Sequence, residues 1–242
     1  MKDLTILIPV KSESTRLKNK NLKKINGFSL LEKKINICKE TNIGQIEVST
    51  NSKLIKNICK KKGINEIRMR PNKYSSPRAS LISVILDFLR DKIKNKKPIS
   101  KYLAILPVTN PFVSKRSIVE AYRLIKDNKK INSVVSITQS NIHPLLFIDL
   151  KKKIKFDKFN LIKKLNGSFN QSQYRPKTYI ESAAIRITKI NFFLKYINNK
   201  DPKFSVKPYD RKNSLPVIIS FKESHDINTK FDFEVAKILK HF

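Results

Sequence analysis

Short apolar runs alternate with longer amphipathic stretches along most of the chain. Leu4-Thr5-Ile6-Leu7-Ile8 is a continuous run of β-formers ended by Pro9, the pattern of a strand buried on both faces. From Ser29 to Cys38 the apolar residues Leu30, Leu31, Ile35 and Cys38 recur at helical spacing. Gln45 to Thr50 reads as a second strand. Ser52 to Lys62 reads as a basic helix with Leu54, Ile55 and Ile58 inward, closed by Gly63. A short strand over Ile64 to Met69, an apolar helix over Ala79 to Leu89 and a strand over Tyr102 to Leu106 follow. An amphipathic helix over Lys115 to Ile125 and a strand over Ser133 to Thr138 come next.

This alternation predicts βαβ units: an α/β chain with a three-layer α/β/α build around a mostly parallel, Rossmann-like sheet. Between 141 and 180 the rhythm breaks into β-prone pieces and Lys runs, which we read as an inserted flap. Ala183 to Ile187 predicts a returning core strand, Asn191 to Tyr196 a short helix, Pro216 to Phe221 a last strand and Lys230 to Leu239 the closing helix. Residues 1–242 are expected to form a single domain. In a parallel sheet of this kind ligands bind beyond the carboxyl ends of the strands. Attention therefore falls on Pro9 to Asn21, Ser49 to Ser52, Arg70 to Ser80 and Pro107 to Phe112.

Composition narrows the classes. No apolar run reaches the roughly 18 residues of a membrane span. The segment Met1-Lys2-Asp3-Leu4 lacks the pattern of a signal peptide. Two distant cysteines, Cys38 and Cys59, argue against a disulfide framework or a structural zinc, and fit a reduced, cytoplasmic setting. The net charge is +33, but only ten of the 52 basic residues are Arg, and Lys is scattered over every segment. A nucleic-acid surface more often enriches Arg and interleaves aromatics. The excess, accompanied by much Asn and Ile, is what AT-rich codons produce. The charge still favours anionic ligands such as nucleotides and acidic sugars.

The loop after the first strand carries Lys11, Arg16, Lys18 and Lys20 with hydroxyl residues between them. Cations at the mouth of an α/β sheet suit a polyphosphate, although the loop has no Walker A glycine pattern. Other residues have plainer readings. Thr229 to Asp232 forms a candidate capping box for the last helix. Cys38 and Cys59 read as small core residues. His143 reads as support for the flap, and His225 as either a neighbour of a metal ligand or a solvated turn.

Several of these loops together resemble the acylneuraminate cytidylyltransferases, the synthetases of CMP-sialic acid and related CMP-nonulosonates. The family's opening I-P-A-R-G-G-S-K-R-x-x-x-K-N is similar to Ile8-Pro9-Val10-Lys11-Ser12-Glu13-Ser14-Thr15-Arg16 followed by Lys20-Asn21. V-S-T-D-S resembles Val48 to Ser52, and R-P…A-S-S-I-D-V resembles Arg70-Pro71 with Ala79 to Val84. Q-P-T-S-P-L resembles Pro107 to Phe112. S-V-V-S-V-T…H-P resembles Ser133 to Thr138 with His143-Pro144. P-K-x-Y-x-x-N-G-A-I resembles Pro176 to Tyr179 with Ser182 to Ile185, and D-I-D-T-x-x-D-F resembles Asp226 to Thr229 with Asp232-Phe233.

The resemblance implies a nucleotide-diphospho-sugar transferase fold and transfer of CMP from CTP to an acidic nine-carbon sugar, with Mg²⁺ as cofactor. It also implies a homodimer built through 141–180. By position it assigns catalysis to Lys20 and Arg16, and nucleotide binding to Lys11, Ser14, Asn21, Ala79 and Ser80. Sugar binding falls to Thr109, Asn110 and Lys177, and metal binding to Asp226 and Asn228. The chain departs from the family pattern at Lys11 (Arg), Ser12-Glu13 (Gly-Gly), Thr15 (Lys), Pro107 (Gln) and Asn228 (Asp). These departures leave open a catalytically weakened nucleotide-sugar-binding paralogue. Nucleic-acid binding through the basic surface is the remaining alternative.

Overall fold

The computed structural model describes residues 2–12, 14, 16–76, 78–142, 176–198 and 206–239. The expected flap lies almost wholly outside them, and so does His143. The chain starts with strand β1 (Leu4–Pro9), followed by a small hairpin, β2 (Lys24–Ile25) and β3 (Phe28–Ser29). Asn26-Gly27 makes the hairpin turn, both residues at positive φ. Then come α1 (Leu30–Thr41), β4 (Gln45–Thr50), α2 (Lys53–Lys61), β5 (Ile67–Met69), α3 (Leu81–Lys94), β6 (Tyr102–Ile105), α4 (Lys115–Asp127) and β7 (Ser133–Gln139). Beyond the undescribed stretch follow β8 (Tyr179–Lys189), α5 (Ile190–Leu194), β9 (Ser214–Ile218), α6 (Phe221–Ser224) and α7 (Lys230–Leu239).

Serines start most of the helices. Ser29, Ser52, Ser80, Ser114 and Ser220 each accept a backbone N–H of the first turn of α1, α2, α3, α4 and α6. Ser29 with Glu32, and Ser220 with Glu223, complete reciprocal capping boxes. Thr229 and Asp232 do the same before α7, as the sequence suggests: Asp232 donates its N–H to the Thr229 hydroxyl, and Thr229 N–H donates back to the carboxylate at 2.7 Å. The Pro216–Phe221 expectation is corrected at its end. The strand stops at Ile218, and Ser220 caps a helix that begins with Phe221.

Seven strands make one sheet in the order β5-β4-β1-β6-β8-β7-β9. Pairings are parallel except at β8, which runs antiparallel to both β6 and β7. Alternation along β1 sends Ile6 and Ile8 into a core shared with α1, α2, α4 and α7, while Leu7 joins Leu103 and Ile105 against α3 and α5. The expected three layers result. Within α2, Ile55 and Cys59 are buried, but Leu54 is 59% exposed, because Cys59 rather than Leu54 shares the inward stripe with Ile55. On the opposite face, α3 is tied to the sheet by ions. Arg68 of β5 grips Asp87 through two bonds and reaches Asp91 at 2.8 Å, and buried Lys92 meets Glu47 of β4 at 2.6 Å. Among the described residues no helix is long and apolar enough to cross a membrane.

One irregularity shapes the carboxyl edge of the sheet. On β7, Ile137 faces Glu181 and Val135 faces Arg186, so Ser136 alone stands opposite the four residues Ser182 to Ile185. Its buried hydroxyl accepts from Ile185 N–H at 3.0 Å and lies 3.0 Å from the Ser182 carbonyl, to which it donates. A bulge of this kind bends the strand and re-aims its side chains. Ser136→Ala should therefore cost about 1–3 kcal/mol in denaturant unfolding, because it strands buried backbone groups. Ser140→Ala, at the half-exposed end beyond β7, should stay within about 0.5 kcal/mol.

Candidate active site

The loop that follows β1 is pinned before it reaches its cations. Val10 N–H donates to the Ser49 carbonyl, and Ser12 N–H donates to the Asn51 side chain at 2.9 Å. Asn51 returns a bond to the Ser12 hydroxyl, buried Asn21 donates to the Lys11 carbonyl at 2.8 Å, and Leu17 drops into the core. With Leu17 and the Asn21 amide fixed inside, Lys11, Ser14, Arg16 and Lys20 line one cleft of about 350 Å³. That is within the usual range for a small-molecule site.

The cleft spans the carboxyl edge of the sheet. On the β5 side it is walled by Arg70, Tyr74, Ser75, Ser76 and Ala79, and on the β6–β8 side by Pro107, Val108, Thr109, Ala183 and Arg186. From β5 to β8 are four strand spacings, on the order of 19 Å. Among the described residues its lining carries five cations, Lys11, Arg16, Lys20, Arg70 and Arg186, and no carboxylate. Such a surface attracts a polyanion. Arg70 is buried, donates to the Ser75 hydroxyl at 3.0 Å, and is lowered by desolvation to about 10.

Behind the cations lies the segment before α7. Lys20 Nζ donates to the Ile227 carbonyl at 2.8 Å and lies 3.5 Å from the Asn228 side-chain oxygen. Arg16 donates to the same oxygen at 3.1 Å. The Asn228 amide donates to Asp226 Oδ2 at 2.7 Å, while Asp226 Oδ1 is buried with no hydrogen-bond partner. Burial lowers the pKa of Lys20, against the attraction of Asp226 and with added repulsion from Arg16 and Lys11. The resulting chain is Lys20 and Arg16 to Asn228 to Asp226, with one carboxylate oxygen unused. Among the described residues no cluster of three His, Cys, Asp or Glu side chains could hold a metal alone.

A buried lysine supports this segment from below. Lys34 of α1 is 1% exposed and donates to the Asn110 carbonyl at 2.9 Å. Asn110 is fully buried, and its amide donates to the carbonyls of Ser224 and His225. Ile227 N–H donates to the Thr109 carbonyl at 2.9 Å. Glu223 adds a further tie, accepting from Ser117 Oγ at 2.6 Å and Ser114 N–H at 3.0 Å. Sequence reasoning passed over Lys34, for which only a charge on an otherwise apolar helix face was available as a signal.

The structure gathers Lys11, Ser14, Arg16, Lys20, Asn21, Ala79 and Thr109 into the cleft wall, with Asp226 and Asn228 tied to it through Lys20 and Arg16. Three expected residues lie elsewhere. The hydroxyl of Ser80 caps α3. Asn110 sits beneath the 224–228 backbone because its amide is taken up by two carbonyls. Lys177 is exposed and outside the cleft lining. Arg186 was not expected. A lone arginine within the apolar run Ala183 to Ile187 was the sign that could have found it.

The open sheet and the cation-bearing loop beyond its first strand have the layout of a nucleotide-binding α/β enzyme. The chain belongs to the cytidylyltransferase family, whose model matches residues 5–158. It is 25% identical over 240 residues to "Post-translational flagellin modification protein B" of Campylobacter coli, covering 99% of this chain and 95% of that one. It is 26% identical over 231 residues to an N-acylneuraminate cytidylyltransferase of Streptococcus agalactiae, covering 94% of this chain. The chain spans about half (51%) of that relative's length. Among solved structures, CMP:2-keto-3-deoxy-manno-octonic acid synthetase complexed with CTP superposes with a TM-score of 0.67 at 11% identity, over 98% of both chains. A 4-diphosphocytidyl-2C-methyl-D-erythritol synthase from Anaerococcus prevotii gives 0.60 at 13% identity, over 100% of this chain and 99% of that one. At these identities the structural likeness bears on the fold.

The buried ammonium of Lys34 yields a pH test. Desolvation lowers it to about 8 from an ordinary 10.5. Below about pH 8 both folded and unfolded chains hold the proton, and the fold bears the cost of burying it. Between about 8 and 10.5 the unfolded chain binds the proton and the fold does not, so stability rises with pH. Relative to Lys34→Met, the wild type should gain about 2 kcal/mol in urea unfolding between about pH 8 and pH 9.5. A pH-independent difference would show that Lys34 does not titrate in this window.

Proposed function

We propose that the protein transfers CMP from CTP to an acidic nine-carbon sugar of the nonulosonic type, releasing pyrophosphate. The observation that carries this reading is the cleft itself. One lining joins the cations of the β1 loop to Ala79 on the β5 side and to Thr109 on the β6–β8 side. Lys11, Ser14 and Asn21 would hold the triphosphate, with Ala79 against the base and the Ser80 cap fixing the turn that presents it. Lys20 and Arg16 would meet the charge that builds on the α-phosphate and the departing pyrophosphate as the sugar's anomeric hydroxyl attacks. Thr109 would face the sugar, with Asn110 acting from beneath.

The donor set fits Mg²⁺. Asp226 offers a buried, unpartnered oxygen, and the neutral oxygen of Asn228 would join it on release from Arg16 and Lys20. A cation that keeps most of its ligands as water and phosphate oxygens needs only one or two protein groups. When bound it would supply neutralisation of phosphate charge. Mn²⁺ binding in the presence of CTP, followed by water-proton relaxation, should weaken at least tenfold in Asp226→Asn. Unchanged binding would place the metal elsewhere. A homodimer through the 141–180 region also belongs to this reading, and light scattering should give about twice 28.1 kDa. A mass that stays at one chain across concentrations would reject it.

The decisive experiment is pyrophosphate release with CTP, UTP, ATP and GTP against a panel of nonulosonic acids. CTP should be preferred, and equal rates with all four nucleotides would sink the cytidine assignment. Lys20→Ala should lower kcat by about 10²-fold, as loss of one electrostatic donor at a developing charge does. Its CTP affinity should fall far less, because Lys11 and Arg16 remain. Exposed Lys18 is outside the cleft lining, and Lys18→Ala should cost little. Equal losses at both positions would reduce the loop to a diffuse positive field and favour a binding-only paralogue.

A further inference from the structure

Among the described residues Arg186 is the one cation of the cleft that the β1 loop and the β5 side do not supply. It enters from β8, directly beside Ile105 at the carboxyl end of β6, and shares its wall with Pro107, Thr109 and Ala183. Between it and β1 stands β6, so it enters the cleft beside Thr109 rather than among the loop cations. Its side chain is 12% exposed. One terminal nitrogen donates to Glu181 Oε1 at 2.8 Å, and its buried Nε has no hydrogen-bond partner.

Glu181 is itself held. Tyr209 donates its hydroxyl to Glu181 Oε2 at 2.6 Å. Burial pushes the Glu181 carboxyl up, but the bonds from Tyr209 and Arg186 outweigh it and hold the group below its ordinary range. Glu181 and Arg186 flank the bulge at Ser182 to Ile185, so the ion pair staples the bulge and sets the direction of the guanidinium. A guanidinium with five donors, one of them spent and Nε unfilled, is an incomplete hydrogen-bonding group. The ligand that completes it best is a planar carboxylate, which takes two parallel bonds from one fork.

We infer that Arg186 binds the carboxylate of the acidic acceptor sugar, with Glu181 and Tyr209 as its positioning residues. This rests on the acidic-acceptor reading above and moves anion recognition from exposed Lys177 to a cation inside the cleft. Arg186 and Ala183 line the cleft from β8, and β6 separates that strand from β1 and its loop cations. An acceptor anchored there is kept clear of the nucleotide's own cations.

The test compares N-acetylneuraminate and 2-keto-3-deoxy-manno-octonic acid, each as free acid and as methyl ester, in CTP-dependent pyrophosphate release. In the wild type the acid should have a KM about tenfold or more below that of its ester, the worth of one charge-assisted hydrogen bond. Arg186→Gln should raise the KM for the acid by the same factor, bring acid and ester level, and leave the KM for CTP within about twofold. Tyr209→Phe should reduce the preference for acid over ester by a smaller factor, read in the KM for the acid. If Arg186→Gln does not fold, Arg186→Lys carries the test, because it keeps the charge but loses the fork and should lower the preference at least threefold. A full preference for the acid in either folded variant overturns the assignment while leaving the acceptor reading intact. A wild type that uses neither acid, or uses ester and acid alike, overturns the acceptor reading and the assignment with it.

Discussion

The cleft depends on a lysine that never sees solvent. Lys34 rises from α1 into the end of the sheet and gives its proton-bearing nitrogen to the Asn110 carbonyl. Asn110 in turn holds two successive carbonyls of the segment that ends in Asp226. Burying an ammonium with a single neutral acceptor is expensive. It persists here because the same contact fixes a backbone that has no regular structure of its own between α6 and α7. Lys20 donates to Ile227 of the same segment, so one lysine holds it directly and the other through Asn110. A carboxylate with an unfilled oxygen is thereby held a few ångströms from two cations without collapsing onto them.

Asn228 matters for the same reason. An aspartate there would neutralise Arg16 and Lys20 directly. The amide instead gives its oxygen to the cations and its N–H to Asp226, linking groups of opposite charge while adding no charge. The loop cations stay available to an incoming polyanion, and Asp226 keeps one oxygen free. The departure from the family pattern at this position therefore makes a connected network rather than a gap.

Much of the layer architecture is legible in one dimension, because the signals are local. Serine caps, a Gly63 at positive φ and Asn-Gly in the β2–β3 turn mark element ends by chemistry that acts within a few residues. The continuous run of β1 marks a strand buried on both faces, and the helical stripe of α1 names its own buried face. What could not be read is what depends on distant partners. The antiparallel insertion of β8 and its bulge are set by Ser136, more than forty residues upstream across an undescribed stretch. The burial of Asn110 is set by a segment over a hundred residues later. The resemblance brought the loop cations and Asp226 into view in the right order. It could not separate a residue that faces the cleft, such as Thr109, from its neighbour Asn110 that faces away.

The bulge opposite Ser136 also divides β8 into two halves with independent registers. Residues before it pair with the end of β7 and residues after it pair with the start, and four residues are taken up in between by a single hydroxyl. A strand interrupted in this way can lengthen or shorten at the interruption without sliding the ladder on either side. The four residues taken up there include Ala183 of the cleft wall, so that wall can change in length while the pairing of β6, β7 and β8 holds.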